Sequence, residues 1–241
     1  MPYGSQPRWS VQSAGTEVGI DVGLRNYMLR VYNYMASGLA LTGIVAWVAA
    51  AGGRDSFIAH IYHTPAMWLV ILAPLGLVML LSFGINRLSA AASQGIFWVY
   101  AGLMGLSLST IFLVYTYQSI ARVFFITAGT FAAMSLYGYT TRADLSRFGS
   151  LLFMGLIGIV IAGLVNIFMQ SPALQFAISV IGVLVFVGLT AYDTQTIKEM
   201  YWEGDGYEVA SKKAVMGALR LYLDFVNLFI MLLRLFGSAR D

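Results

Sequence analysis

Two stretches in the last third of the chain decide its fold: Ile178-Ser-Val-Ile-Gly-Val-Leu-Val-Phe-Val-Gly-Leu-Thr-Ala-Tyr-Asp-Thr-Gln-Thr-Ile197 and Leu219-Arg-Leu-Tyr-Leu-Asp-Phe-Val-Asn-Leu-Phe-Ile-Met-Leu-Leu233. Each belongs to an apolar run long enough to cross a membrane, and each carries one acid, Asp193 or Asp224. An ionised carboxylate at the centre of a membrane helix costs roughly 2.5 to 3.5 kcal/mol on insertion scales. Such a residue needs a partner, a water-filled cavity or a proton. Two of them in the closing helices are the leading functional candidates.

Composition extends this reading to the whole chain. Of the 241 residues, 59% are hydrophobic and only 10% charged, well below the roughly 25% charged residues of a soluble domain. The apolar residues come in long blocks with short polar punctuation, which predicts an all-α polytopic membrane protein. The alternating ten-residue segments of a membrane β-barrel are not seen. With no cysteines, disulfides, thiolate metal sites and a cysteine nucleophile are excluded. The net charge of +3 fits anchoring of cytoplasmic loops at a lipid bilayer and does not point to nucleic acid.

The blocks predict seven spans, at about 27–51, 66–85, 94–117, 123–140, 148–169, 173–197 and 214–236. Residues 1–26 are expected to form a flexible polar tail, 27–237 the membrane domain and 238–241 a short C-terminal tail. Pro74 is a candidate kink, 170–172 a tight uncharged turn, and 198–213 the longest internal polar loop. Lys and Arg gather on one side of the predicted bundle: Arg8, Arg25, Arg30, Arg87, Arg142, Arg147, Lys198, Lys212 and Lys213, against Arg54, Arg122, Arg234 and Arg240 on the other. By the positive-inside rule the N-terminus is cytoplasmic and, with seven spans, the C-terminus lies outside. A last helix that re-entered without crossing would reverse only the second statement.

Arg220, Asp224 and Asn227 follow i, i+4, i+7 spacing and so share a face of the seventh helix, which must look into the bundle or a cavity. Thr190, Asp193 and Thr194 share a face of the sixth. Asp193 lies about a turn from the end of its span and Asp224 about ten residues into its own. Their nominal depths therefore differ by about two turns, which tilt could close. The plainer alternatives are an intrahelical Arg220–Asp224 ion pair and a snorkelling Lys198 beside Asp193.

The stretch Ala191-Tyr-Asp-Thr-Gln195, then Leu221-Tyr-Leu-Asp-Phe-Val-Asn-Leu-Phe229 and Leu232-Leu-Arg-Leu-Phe-Gly237, resembles the Bax inhibitor-1 (transmembrane Bax inhibitor motif) family. The resemblance runs over essentially the whole chain, most specifically in these last two segments. It implies seven helices with the last one central, in a bacterial inner (plasma) membrane. It implies a pH-sensitive calcium leak in which Asp193 and Asp224 form a proton-coupled pair that also offers oxygens to Ca²⁺, the permeant ion. A basic residue after the second span, matched loosely by Arg87, is implied as a latch. Two nearby carboxylates do not easily both ionise, so such a pair titrates as a unit. Two departures stand out. Arg220 lies one turn before Asp224, where an uncharged residue is expected, and the second span lacks a glutamate that some relatives carry.

Other motifs are weaker. His60 and His63 have metal-ligand spacing if helical, but an interfacial loop is the expectation. Glu199, Glu203, Asp205 and Glu208 do not complete an EF-hand. Trp47, Trp68, Trp98 and Trp202 suit interfacial anchors. No intramembrane-protease, phosphate-loop or zincin motif is present, and no enzyme or cofactor is expected. The rival to a channel is a non-conducting regulator that binds other membrane proteins, such as a membrane-bound protease, through its polar N-terminal tail.

Overall fold

In the computed structural model, residues 22–53, 56–62 and 64–240 are described. Arg8, Arg54, Asp55, His63 and the tail over 1–21 lie outside them. Among the described residues the chain forms nine helices: α1 (Val22–Ala49), α2 (Phe57–Tyr62), α3 (Ala66–Gly84), α4 (Ala90–Leu108), α5 (Ile111–Val114), α6 (Tyr117–Thr140), α7 (Ser146–Met169), α8 (Pro172–Glu199) and α9 (Tyr207–Phe236). Seven segments are long and apolar enough to cross a membrane, with α4 and α5 together making the third.

Several boundaries move outward from the expected ones, each for a local reason. Residues 22–26, expected as tail, are the first turn of α1. Ser89 and Thr116 accept from the backbone N–H groups of Ala92 and Ser119, capping α4 and α6 earlier than hydropathy suggests. The third span is not one helix. Ser109 and Thr110 donate their hydroxyls back to the carbonyls of Leu106 and Ser107, and the helix breaks there. The turn over 170–172 combines Gln170 in the left-handed region (φ 47°) with a capping Ser171 and Pro172 in the first helical turn.

The largest correction concerns the expected loop over 198–213. Only 200–206 lie outside helices. The polar residues from Tyr207 onward are the opening turns of α9, beginning at Gly206 as N-cap. Glu208 sits in the first turn, where the helix dipole favours an acid, and pairs with Lys212 one turn on at 3.4 Å. Lys213 reaches back to Asp205. Glu208 also accepts from the backbone N–H of Ala90, at 2.7 Å, which ties the start of α9 to the start of α4.

The last helix is the axis of the bundle. The apolar window of α9 is 67% buried, against 11% for α7. It packs against α1, α4, α6 and α8, while α7 packs on α8 and α3 on α4. Buried aromatic residues seal the centre: Tyr222 meets Tyr100 and Phe97 edge to face, and Phe225 meets Phe131. Tyr222 donates its hydroxyl to Thr42 (2.7 Å), which in turn donates to the carbonyl of Ala101 (2.8 Å). The outward faces carry large exposed apolar side chains, Trp47 and Trp68 among them, as a hydrocarbon solvent requires.

Alternate connections lie at opposite ends. The α3–α4, α6–α7 and α8–α9 connections share the end marked by Arg87. The α5–α6 connection lies at the other, and the C-terminal residues are pinned to it. Ser238 accepts from the N–H of Thr116 and donates to Ser119 Oγ, and Arg240 donates to the carbonyl of Val114. Helix α9 therefore crosses the bundle completely, and the two ends of the described chain lie on opposite faces.

Candidate functional site

Helix α8 delivers Asp193 and α9 delivers Asp224 to a shared wall. These two helices are packed along one another over much of their length. Asp224 is 5% exposed, and its Oδ2 has no hydrogen-bond partner among the described residues. The Asp193 carboxyl, the Asp224 carboxyl and the Arg220 guanidinium all line the same cavity. The depth difference expected from the spans is thus closed.

Arg220 is the group that the pattern on one helix could not assign. It pairs with Asp193 across the helix interface, Nη1 to Oδ1 at 4.0 Å, and not with Asp224 on its own helix. The Arg220 side chain is 44% exposed and that of Asp193 16%, and at 4.0 Å the two groups are at the outer limit of an ion pair. Lys198 does not attend Asp193. Its Nζ donates to the carbonyl of Tyr139 at 2.9 Å and lies over the Tyr139 ring. Asn227 uses its amide to donate to the carbonyl of Leu223, one turn back. Arg87 is exposed in the α3–α4 connection and makes no ion pair with either acid. His60 has Nδ1 at 3.0 Å from the carbonyl of Ser56, in the short helix α2.

The acids face a cavity of about 590 Å³ between α7, α8 and α9, whose walls include Gly149, Tyr192, Phe186, Arg220 and Asn227. Among the described residues no three His, Cys, Asp or Glu side chains group as metal ligands. Two carboxylates fall short of the six to eight oxygens that Ca²⁺ takes.

Thr190 and Thr194, grouped with Asp193 by helical spacing, do not line the cavity with it; they belong to a polar chain toward α6 and α1 whose partners the sequence did not reveal. Each hydroxyl has one proton to give, so the order is fixed: Tyr32 donates to Ser135 (2.6 Å), Ser135 to Thr194 (3.0 Å), and Thr194 to the carbonyl of Thr190 (2.7 Å). Gln195 next to it clamps the α6–α7 connection, accepting from the N–H of Leu145 and donating to the carbonyl of Ala143. Helix α6 approaches closely because Gly138 has no side chain; a Cβ there would run into the carbonyl of Ala191. The signal for this contact was a small residue in a membrane helix, too common to read alone.

A bundle of seven membrane-length helices around a central last helix, with an acid pair and one arginine at a cavity, defines a class of integral membrane protein. The sequence model of the family described as "Inhibitor of apoptosis-promoting Bax1" matches residues 24–241, and the chain belongs to this Bax inhibitor-1 family. It is 52% identical to the inner membrane protein YbhL of Escherichia coli strain K12, over 90% of this chain and 94% of that one. It is 49% identical to an uncharacterized protein of Rickettsia prowazekii (92% and 93% covered). A protein of Deinococcus radiodurans is 41% identical (90% and 92%).

Proposed function

We propose that this protein is a pH-sensitive calcium leak channel of a bacterial inner membrane, gated by protonation of the Asp193–Asp224 pair, with its N-terminus in the cytoplasm. The observation that supports it is the convergence of both acids on one cavity at the interface of α8 and α9. Two carboxylates in one low-dielectric site share protons as a unit. They also offer hard oxygens to Ca²⁺ without a full cage, so the ion is free to leave. Arg220 is the standing counter-charge at Asp193. In this reading it takes the place of Arg87 as the cation next to the pair. Protonation changes the net charge of the three groups and so the attraction between α8 and α9.

The test is Ca²⁺ movement through liposomes carrying the purified chain, followed across pH from about 5 to 8. A flux above that of protein-free liposomes, and one that varies with pH, is expected. Absence of flux at every pH sinks the channel reading. Orientation is checked separately by cysteine accessibility at Arg87→Cys and Ser238→Cys in cells: the first is expected to label from the cytoplasm, the second from outside.

A further inference from the structure

Helices α1 and α6 both pack on α9 but not along one another. The gap between them is a cavity of about 400 Å³, with Tyr32, Phe131, Ala132, Ser135 and Tyr139 among its walls. Leu29 and Leu136 on its two sides are largely exposed, so the gap opens toward the lipid. Its floor is dry in chemical terms. The polar atoms there, Tyr32 Oη and Ser135 Oγ, are already bonded to each other and onward to Thr194. They demand neither water nor an ion, and the remaining wall is apolar.

The charge is confined to the Arg87 end of the gap. Arg25, in the first turns of α1, lines the mouth. Lys198 sits over the ring of Tyr139, 5.5 Å from its centroid, at the same end. Neither cation has an acidic partner among the described residues. A hydrocarbon slot with Arg25 at its mouth, and with Lys198 held against its wall residue Tyr139 without an acidic partner, is complementary to an amphiphile with an anionic head. Basic pockets between membrane helices on this side recruit anionic head groups, at about 1 kcal/mol per Lys or Arg.

We propose that the α1–α6 groove is a binding site for an anionic phospholipid of the leaflet at the Arg87 end, one acyl chain lying along Phe131 and Ala132 and the phosphate held by Arg25 and Lys198. The occupant bears on the Tyr32–Ser135–Thr194 chain, and thus on the helix that carries Asp193.

Native mass spectrometry of the full chain, titrated with phosphatidylglycerol or phosphatidylcholine of identical acyl chains, tests this. Phosphatidylglycerol is expected to be retained on the order of tenfold more tightly. Arg25→Ala with Lys198→Ala should reduce it to the phosphatidylcholine level. Ala132→Phe, which fills the slot, should weaken both lipids, while Ala133→Phe on the adjoining exposed position should weaken neither. Equal retention of the two lipids, or binding indifferent to Ala132→Phe, overturns the proposal. So does deletion of residues 1–21 if it raises lipid uptake severalfold, because the chain's own N-terminal segment would then be the occupant.

Discussion

The same substitution at two glycines of α6 should have opposite effects. At Gly138 a Cβ would overlap the carbonyl oxygen of Ala191 on α8, with the carbonyl carbon and Cα of that residue at 2.9 and 3.0 Å. The obstacle is backbone, so no side chain can rotate away, and the helices must part by on the order of 1 Å. A gap of that size forfeits a quarter to a half of each van der Waals contact along the seam. Overpacking of this kind costs about 1 to 3 kcal/mol. One turn away, the Ser135–Thr194 hydrogen bond at 3.0 Å would be stretched past bonding distance, adding about 1 kcal/mol. At Gly129 no atom lies within 4 Å of the added Cβ. There the substitution only restricts the unfolded chain, worth about 0.4 to 1 kcal/mol of stabilisation. Thermal unfolding in one detergent should therefore show Gly138→Ala melting on the order of 10 °C lower, from roughly 2 to 4 °C per kcal/mol for a chain of this size. Gly129→Ala should melt at or above the wild-type temperature. Shifts of the same sign and size would refute the close α6–α8 approach.

Other consequences are equally specific. Thr42→Val leaves the buried Tyr222 hydroxyl without its acceptor, at about 1 to 3 kcal/mol; adding Tyr222→Phe should recover part of that, as a double-mutant cycle by thermal unfolding would show. Gln195→Ala removes both bonds to the α6–α7 connection, so trypsin should cut at Arg142 or Arg147 faster than in the wild type. Asp144, at that connection, accepts from the hydroxyl and the N–H of Ser146, which together hold its carboxyl below the ordinary aspartate range. Because the folded value is depressed, this contribution is present above the unfolded aspartate value and is lost as pH falls through the folded one. Amide exchange at Ser146 should accelerate there, and in Asp144→Asn already at neutral pH.

Much of the architecture was legible because a bilayer forces apolar runs of nearly fixed length. The seven spans and both acids stand out for that reason alone. The start of α9 was hidden because hydropathy sees only apolar length, whereas Glu208, Lys212 and Gly206 make a polar helix start from charge pairing and capping. The break at Ser109 follows from hydroxyls bonding back to the chain, a feature also compatible with an unbroken helix. The partner of Arg220 was illegible for a different reason. Helical spacing reports neighbours on one helix, at Asp224, and is blind to Asp193 on the next. Pinning of Ser238 to the α5–α6 connection is likewise a contact between distant parts of the chain that no local pattern announces.

The central claim is that the two acids together control ion passage. It is tested most directly by Ca²⁺ flux through liposomes carrying Asp193→Asn with Asp224→Asn, at matched protein density and across the same pH range as the wild type. The account predicts a flux that no longer responds to pH. A double variant whose pH profile superimposes on that of the wild type would contradict it.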